Sequence, residues 1–481
     1  MSRRRRLAEI YDALEQARSY EQWLQAATAH DDYTGALAWR ARDESPFYDA
    51  ALLRQERDEL AALRQSGQGR ALAARLDESL TRHLGDITAP ELYGRALSGT
   101  KDLVGAFLDE AEASLRWLAT HPVPGIGPDE TRQAFLRAWK VYGHSALMLS
   151  GGATWGFHHL GVVKALFERD LLPHILSGAS TGAMIAAGIC ARTDAEIAAL
   201  FADTDQVRLD GLLRLPLRQA LQQGAALDPE QLRAVLHHNV GPATFAEAHA
   251  HSGRTLAIAV SPTRTRQKAR LLCHLTSPDV LLVSAAVASS ALPGLFAPQV
   301  LHARDPDGSV RPWVPTERWA DGSISADLPK MRLARLFNVN HFIASQTNPH
   351  VLPFVRHHGQ RGLLPTVAGI AGASVRTQGA WVTDLVRRAT RPSRGPVGQL
   401  ADRAYNLVSQ DYRGDIDIHP QLRPSMLGKL VTNPTRADLA LFIAEGERAV
   451  WPKLAMIRDQ TRLGRVFRAC VAELEGCPIS A

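Results

Sequence analysis

The sequence predicts an α/β protein: a layered core around a mostly parallel sheet, with helical regions before and after it. Three observations lead there. Short apolar runs such as Ala146-Leu147-Met148-Leu149 and Leu256-Ala257-Ile258-Ala259-Val260 read as strands buried on both faces. Helical patterns such as Val162 to Arg169 alternate with them. Residues up to about 120, by contrast, read as helices joined by short loops.

In chain order, the clearest early helix is Lys101 to Leu118. There Leu103, Val104, Phe107, Leu108, Ala111, Leu115 and Leu118 fall on one face, with Ser114 and Arg116 off the stripe. The turn-rich His121-Pro122-Val123-Pro124-Gly125-Ile126-Gly127-Pro128 marks a boundary. This gives a helical N-terminal region over residues 1–125, an α/β core over 140–350 and a mainly helical C-terminal region over 351–481. In the last region, helical pattern returns from Pro434 to Glu473 after a loop-like Ala389 to Pro396. Trp381, Val382, Leu385 and Val386 beside Arg387 and Arg388 form an amphipathic patch, for which a core-facing helix is the simpler reading.

Composition narrows the function classes. With 481 residues, 45% hydrophobic and 22% charged, the chain is that of an ordinary globular protein with room for two or more domains. A net charge of +6 suits an anionic surface, but no zinc-finger spacing or aromatic-basic motif points to nucleic acid. Cys190, Cys273, Cys470 and Cys477 are sparse and show no metal-ligand spacing, so a reduced, cytoplasmic protein without metal or cofactor is expected. Arg3 to Arg6 run into Leu7-Ala8-Glu9 with no apolar segment behind them, which argues against a secretory signal. No run of eighteen apolar residues occurs, so membrane contact is expected to be peripheral.

The chemistry is concentrated in Gly178-Ala179-Ser180-Thr181-Gly182. An apolar run, Leu171 to Leu176, leads in and the helix-compatible Ala183 to Ile189 leads out. That is the strand, tight turn and helix of a nucleophile elbow, with Gly178 and Gly182 clearing space around Ser180. Upstream, Ser150-Gly151-Gly152-Ala153-Thr154-Trp155-Gly156 lies between a strand and a helix N-terminus, where backbone N–H groups of Gly151, Gly152 and Ala153 suit an oxyanion site. A nucleotide loop is the competing reading, but Ala153 interrupts the dinucleotide pattern and no Gly-Lys-Ser/Thr ending follows.

For the base, no histidine has the loop context that a Ser-Asp-His order predicts; His350 and His419, each beside a proline, are candidates on paper. Asp321 in Trp319-Ala320-Asp321-Gly322-Ser323 fits better, because a desolvated carboxylate can take the serine proton directly. Asp307-Gly308-Ser309 repeats the tripeptide but reads as a hairpin turn.

Together these blocks resemble the patatin-like phospholipases, in the branch that includes fungal and plant triacylglycerol lipases with an N-terminal helical region. The resemblance rests on Gly151 to Gly156 with His159 to Leu166, on Gly178 to Gly182, and on Ala288 to Phe296. It also takes in Asp321-Gly322-Ser323 with Asp327-Leu328-Pro329 and Phe337 to Phe342. Upstream and downstream it extends through Tyr20 to Leu24, Glu44 to Asp49, Gly99-Thr100-Lys101 and Gly446 to Pro452. It implies a three-layer α/β/α core, a Ser180–Asp321 dyad without cofactor, a lipid ester substrate and peripheral contact with a membrane or lipid-droplet surface. Plant patatins carry a third glycine and a cation in the first block, where this chain has Ala153 and Trp155, which favours a neutral acylglycerol. Acyl transfer from the same acyl-enzyme and a non-catalytic membrane-associated protein are the alternatives. His274 to Asp279 matches an acyltransferase spacing that some relatives show, and chance accounts for it here.

Overall fold

The structure, a computed structural model, describes residues 3–264, 267–349, 412–421 and 428–476. They fall into two compact units, one drawn from Met1–Ser145 with Val450–Ala481, the other from Ala146–Ala449. The patch around Trp381, together with His350, lies outside the described residues. Among the described residues no helix is long and apolar enough to cross a membrane.

The first unit is helical. Ser19 and Asp49 cap the helices Tyr20–Thr34 and Ala50–Gln65 by accepting N–H bonds from Gln22 and Leu52. The helix Asp102–Thr120 buries Leu103, Val104, Phe107, Leu108, Ala111, Leu115 and Leu118 as its periodicity predicts, and leaves Arg116 exposed. Ser114 corrects the prediction: it is buried, because positions 107, 111, 114 and 118 share one face and the apolar stripe is wider than the hydrophobic residues alone define. Its hydroxyl donates to Glu110 Oε1 at 3.1 Å, and the same carboxylate takes two N–H bonds from Arg64, at 2.7 and 2.9 Å. The final helix, Leu454–Leu474, places Leu463, Val466, Phe467 and Cys470 in the same apolar cluster as Phe107, Leu115 and Phe135.

The second unit holds the sheet. Its strands are β1 (His144–Leu149), β2 (Ile175–Gly178), β3 (Thr255–Pro262), β4 (Arg270–Leu272), β7 (Trp319–Asp321), β8 (Val339–Ser345) and β9 (Ile416–Ile418). A separate antiparallel ribbon pairs β5 (His302–Arg304) with β6 (Val310–Pro312). The main order is β4-β3-β2-β1-β8-β9, with β7 also on β3. The β1–β2, β2–β3 and β8–β9 pairs are parallel, and β4 and β7 run antiparallel to β3. β3 is buried along nearly its whole length, as a strand covered on both faces must be. Helix Thr181–Cys190 packs on β2 and β3, Leu282–Ser289 on β3 and β7, and Lys330–Phe337 on β8. Leu333 of that last helix joins Ala146, Met148, Ala257 and Ala259 in one apolar cluster.

The register of β3 positions the chemistry. β2 and β7 follow one another along the same edge of β3, opposite β4: Ile258 pairs with Gly178 and Val260 pairs with Asp321. One strand therefore brings the glycine before the elbow and the predicted base to within two residues of each other.

Candidate active site

Ser180 sits between β2 and the helix Thr181–Cys190 with φ 53° and ψ −127°. Such a backbone costs an L-residue about 1–3 kcal/mol, so the surroundings must hold it. They do so with hydrogen bonds: Ser180 N–H donates to Ser289 Oγ at 3.0 Å, whose hydroxyl donates to Ala259 O at 2.7 Å, while Ala179 N–H donates to Leu149 O at 3.2 Å. The two flanking glycines are required by close approach. A Cβ on Gly178 would lie 2.4 Å from Gly182 O, and one on Gly182 would lie 2.2 Å from Leu149 O.

Asp321 ends β7 and is buried. Its N–H donates to Ala291 O at 3.0 Å and Gly322 N–H donates to Ser289 O at 3.3 Å. The 289–291 turn thus holds both the elbow and the aspartate. Ser323 N–H donates to Asp321 Oδ1 at 2.8 Å, and the Ser180 hydroxyl is near enough to the same carboxylate to favour its ionised form. Burial, partly offset by Ser323 and the nearby Ser180 hydroxyl, pushes the Asp321 carboxyl up to about 6.

The glycine-rich loop divides its N–H groups. Gly151 N–H donates to Asp327 Oδ1 at 2.9 Å, which engages one of the three predicted oxyanion donors with a buried carboxylate. The N–H groups of Gly152 and Ala153 have no partner among the described residues, whereas Thr154 N–H donates to Leu430 O. Ala153 adopts φ 47° in the position where Ala replaces the third glycine. Thr181 Oγ1 donates to Ala153 O at 2.8 Å, which ties the loop to the first turn of the elbow helix.

Asp327 takes a further bond from Asn348 Nδ2 at 2.6 Å and a longer one from Gln346 Nε2 at 3.4 Å. Burial and the neighbouring Asp321 push its carboxyl up to about 7, against hydrogen bonds that act the other way. Thr347 Oγ1 donates to Gly151 O at 3.0 Å. Sequence reading assigns no role to Ser289, Asp327, Thr347 or Asn348. The first two lie in blocks that carry the family resemblance; Thr347 and Asn348 follow β8 with no motif around them.

Ser180, Asp321, Gly152 and Ala153 line one cavity of about 850 Å³. Most of its wall is apolar, including Ile185, Ile189, Leu232, Leu236, Leu295 and Phe296. The arginines that line it among the described residues are engaged. Arg192 donates to Gly188 O and Asn239 O at 2.6 and 2.8 Å, and Arg208 pairs with Asp210 at 2.7 Å. The other sequence candidates lie elsewhere. Asp307 is exposed in the β5–β6 turn, where its carboxylate accepts from Ser309, and neither His419 nor His274 lines the cavity. His274 instead stacks on His249, with ring centroids 3.9 Å apart.

Comparison with known proteins agrees with this architecture. A model of the patatin-like phospholipase family matches residues 147–333, and a domain of unknown function (DUF3336) matches residues 1–140. Triacylglycerol lipase ptl3 of Schizosaccharomyces pombe is 32% identical over 97% of this chain and 98% of its own length. The chain belongs to the patatin-like phospholipase family. As a member of that family it is a lipid ester hydrolase. Triacylglycerol lipase SDP1L of Arabidopsis thaliana is 31% identical over 95% of the chain, which spans 58% of that longer relative. Among solved structures, VipD from Legionella pneumophila aligns over 68% of this chain and 67% of its own at 16% identity, with a TM-score of 0.31. Most of the elements that form the patatin-like phospholipase site, from the glycine-rich loop to Asp327, lie inside the family match.

Proposed function

We propose that this patatin-like phospholipase hydrolyses long-chain acylglycerol esters through a Ser180–Asp321 dyad. The observation that carries the reading is that Ser180, in its strained elbow, and the buried Asp321 line the wall of one apolar cavity, tied together through the 289–291 turn. Asp321 takes the hydroxyl proton as Ser180 Oγ attacks the ester carbonyl carbon. The carbonyl oxygen gains negative charge and is met by the N–H groups of Gly152 and Ala153, which have no partner among the described residues. When the tetrahedral intermediate collapses, the ester C–O bond breaks and the departing alcohol takes the proton from Asp321. Water then attacks the acyl-serine, giving its proton to Asp321, and the fatty acid leaves as Ser180 is reprotonated.

A neutral substrate suits the electrostatics. Arg192 and Arg208 at the cavity wall are bonded to backbone or carboxylate, so neither is held ready for a phosphate. The relatives named triacylglycerol lipases support the same choice. The test is a panel of tri- and diacylglycerols against phospholipids, run on the parent and on Ser180→Ala. Hydrolysis confined to the acylglycerols and lost in the variant is expected. Undiminished hydrolysis by Ser180→Ala refutes the dyad, and a preference for phospholipids refutes the substrate class.

A further inference from the structure

The residues between Leu212 and Leu227 make an excursion whose two roots line the catalytic cavity. The roots are pinned to one another and to the 292–296 loop. Leu215 N–H donates to Ala226 O, Asp228 N–H to Leu213 O, and Leu227 N–H to Leu295 O, at 2.8–2.9 Å. The tip is the short helix Leu217–Gln223, closed by Gly224 in the left-handed conformation.

That tip concentrates exposed leucines in a short stretch of chain. Leu217 and Leu221, one helical turn apart, are each 77% exposed, and Leu213 is 52% exposed. Leu292, which also lines the cavity, is 38% exposed. The cavity lining thus has an exposed leucine in the 292–296 loop, and the excursion that this loop holds adds three more. Arg214 and Arg218 are interleaved with them, both exposed and both without an ion-pair partner among the described residues. Exposed leucines with unpaired arginines beside them match a lipid surface bearing anionic headgroups, apolar side chains entering the acyl boundary and cations meeting phosphate. A water-exposed leucine cluster at this position has no packing role in its own unit.

We propose that the Leu213–Leu221 tip docks the enzyme on an anionic lipid surface and sets the cavity mouth against it. The proposal rests on the hydrolase reading above and names the surface through which that site meets its substrate. Its test uses the full chain and co-sedimentation with vesicles of phosphatidylcholine alone and of equimolar phosphatidylcholine and phosphatidylserine. The parent should sediment with both and prefer the mixed vesicles. Leu213→Ser/Leu217→Ser/Leu221→Ser should weaken partitioning at least about tenfold on both compositions, because each leucine contributes acyl-phase burial. Its turnover of a water-soluble short-chain ester should stay within about twofold of the parent, which also reports that the fold is intact. Arg214→Gln/Arg218→Gln should lose only the preference for phosphatidylserine.

A triple variant that partitions like the parent overturns the proposal, as does a parent that sediments with neither vesicle. So does a parent dimer that the leucine substitutions convert to monomer with no change in vesicle binding, since the patch is then a contact between two copies of the chain. If vesicle binding depends on the leucines but the parent shows no Ser180-dependent turnover of the soluble ester, the docking surface stands and the hydrolase reading fails.

Discussion

The N–H of Gly151 donates to the buried carboxylate of Asp327 at 2.9 Å, so the first of the tandem glycines is anchored to the protein, while the next two N–H groups have no partner among the described residues. The same carboxylate takes Asn348 Nδ2, which makes Asp327 the post on which the oxyanion loop is hung. It touches no reacting atom, so it acts as a positioning residue. Asp327→Ala should lower kcat about a hundredfold, the penalty of displacing a catalytic group by roughly 1 Å, with little change in KM. Asp327→Asn keeps an oxygen for Gly151 and should retain kcat within about tenfold of the parent. Steady-state kinetics on a soluble ester separate the two variants, and equal losses would mean that the hydrogen bond to Gly151 is immaterial.

The pH dependence has a definite sign. Asp321 can accept the serine proton only when ionised, and burial holds its carboxyl up to about 6. The logarithm of kcat/KM should therefore rise with pH and level off above about 6, a limb that a base with an ordinary carboxylate value would place near pH 4. Stability runs the other way. Asp321 and Asp327 both have folded values raised above the unfolded one, so their contribution is fully present below about pH 4 and is lost as pH rises through about 6 and about 7. Relative to the parent, Asp327→Asn should gain Tm between pH 4 and pH 8, and a difference in Tm independent of pH would count against a raised Asp327.

Gly152 and Ala153 make opposite predictions from adjacent positions. A Cβ on Gly152 would lie 2.2 Å from Thr347 Oγ1 and 3.1 Å from the Thr347 carbonyl oxygen, so the loop cannot keep its place. Gly152→Ala should cost about 10²–10³ in kcat, as loss of an oxyanion donor does. Ala153 already bears a Cβ at φ 47°, and Ala153→Gly relieves it. That variant should gain about 0.5–1 kcal/mol in urea denaturation of the catalytic unit, with activity retained. A loss of stability in Ala153→Gly would show that its methyl group packs usefully.

The elbow is legible in the sequence because its constraint is local: strand, two small residues and helix must succeed one another within about a dozen positions. The pairing of Ser180 with Asp321 is not local. It depends on β3, whose register sets Ile258 beside Gly178 and Val260 beside Asp321, and no pattern in either block announces that third strand. The same holds for Ser289, which bridges them from a helix end, and for Asn348, which reaches Asp327 from the loop after β8. Ser114 shows the complementary failure: periodicity counts hydrophobic residues, and a serine whose hydroxyl is satisfied by Glu110 can occupy the buried stripe without being counted. Gly151 suits an oxyanion donor by its residue type; its partner, 176 positions away, is what decides the direction of its N–H.

Lys101 carries the last prediction, on stability rather than activity. It stands in the Gly99-Thr100-Lys101 block and is 1% exposed. Its ammonium donates to the carbonyl oxygens of Trp39 and Arg42 at 2.6 Å each and of Glu44 at 3.2 Å, and lies 4.2 Å from the centre of the Trp39 ring. Three carbonyls at the end of one helix and the start of the next loop are thus satisfied by a single side chain. Lys101→Met preserves most of the apolar stem and removes the donors, leaving those oxygens unpaired, at about 1–3 kcal/mol for each group that stays buried. Because water can reach some of the vacated space, the net expectation is a loss of about 2–4 kcal/mol. The loss should appear in the urea transition of the helical unit followed by tryptophan fluorescence, with the soluble-ester turnover of the folded enzyme unchanged. A transition that does not move would show that the three carbonyls find other donors, and that Lys101 does not hold the segment from Trp39 to Glu44 in place.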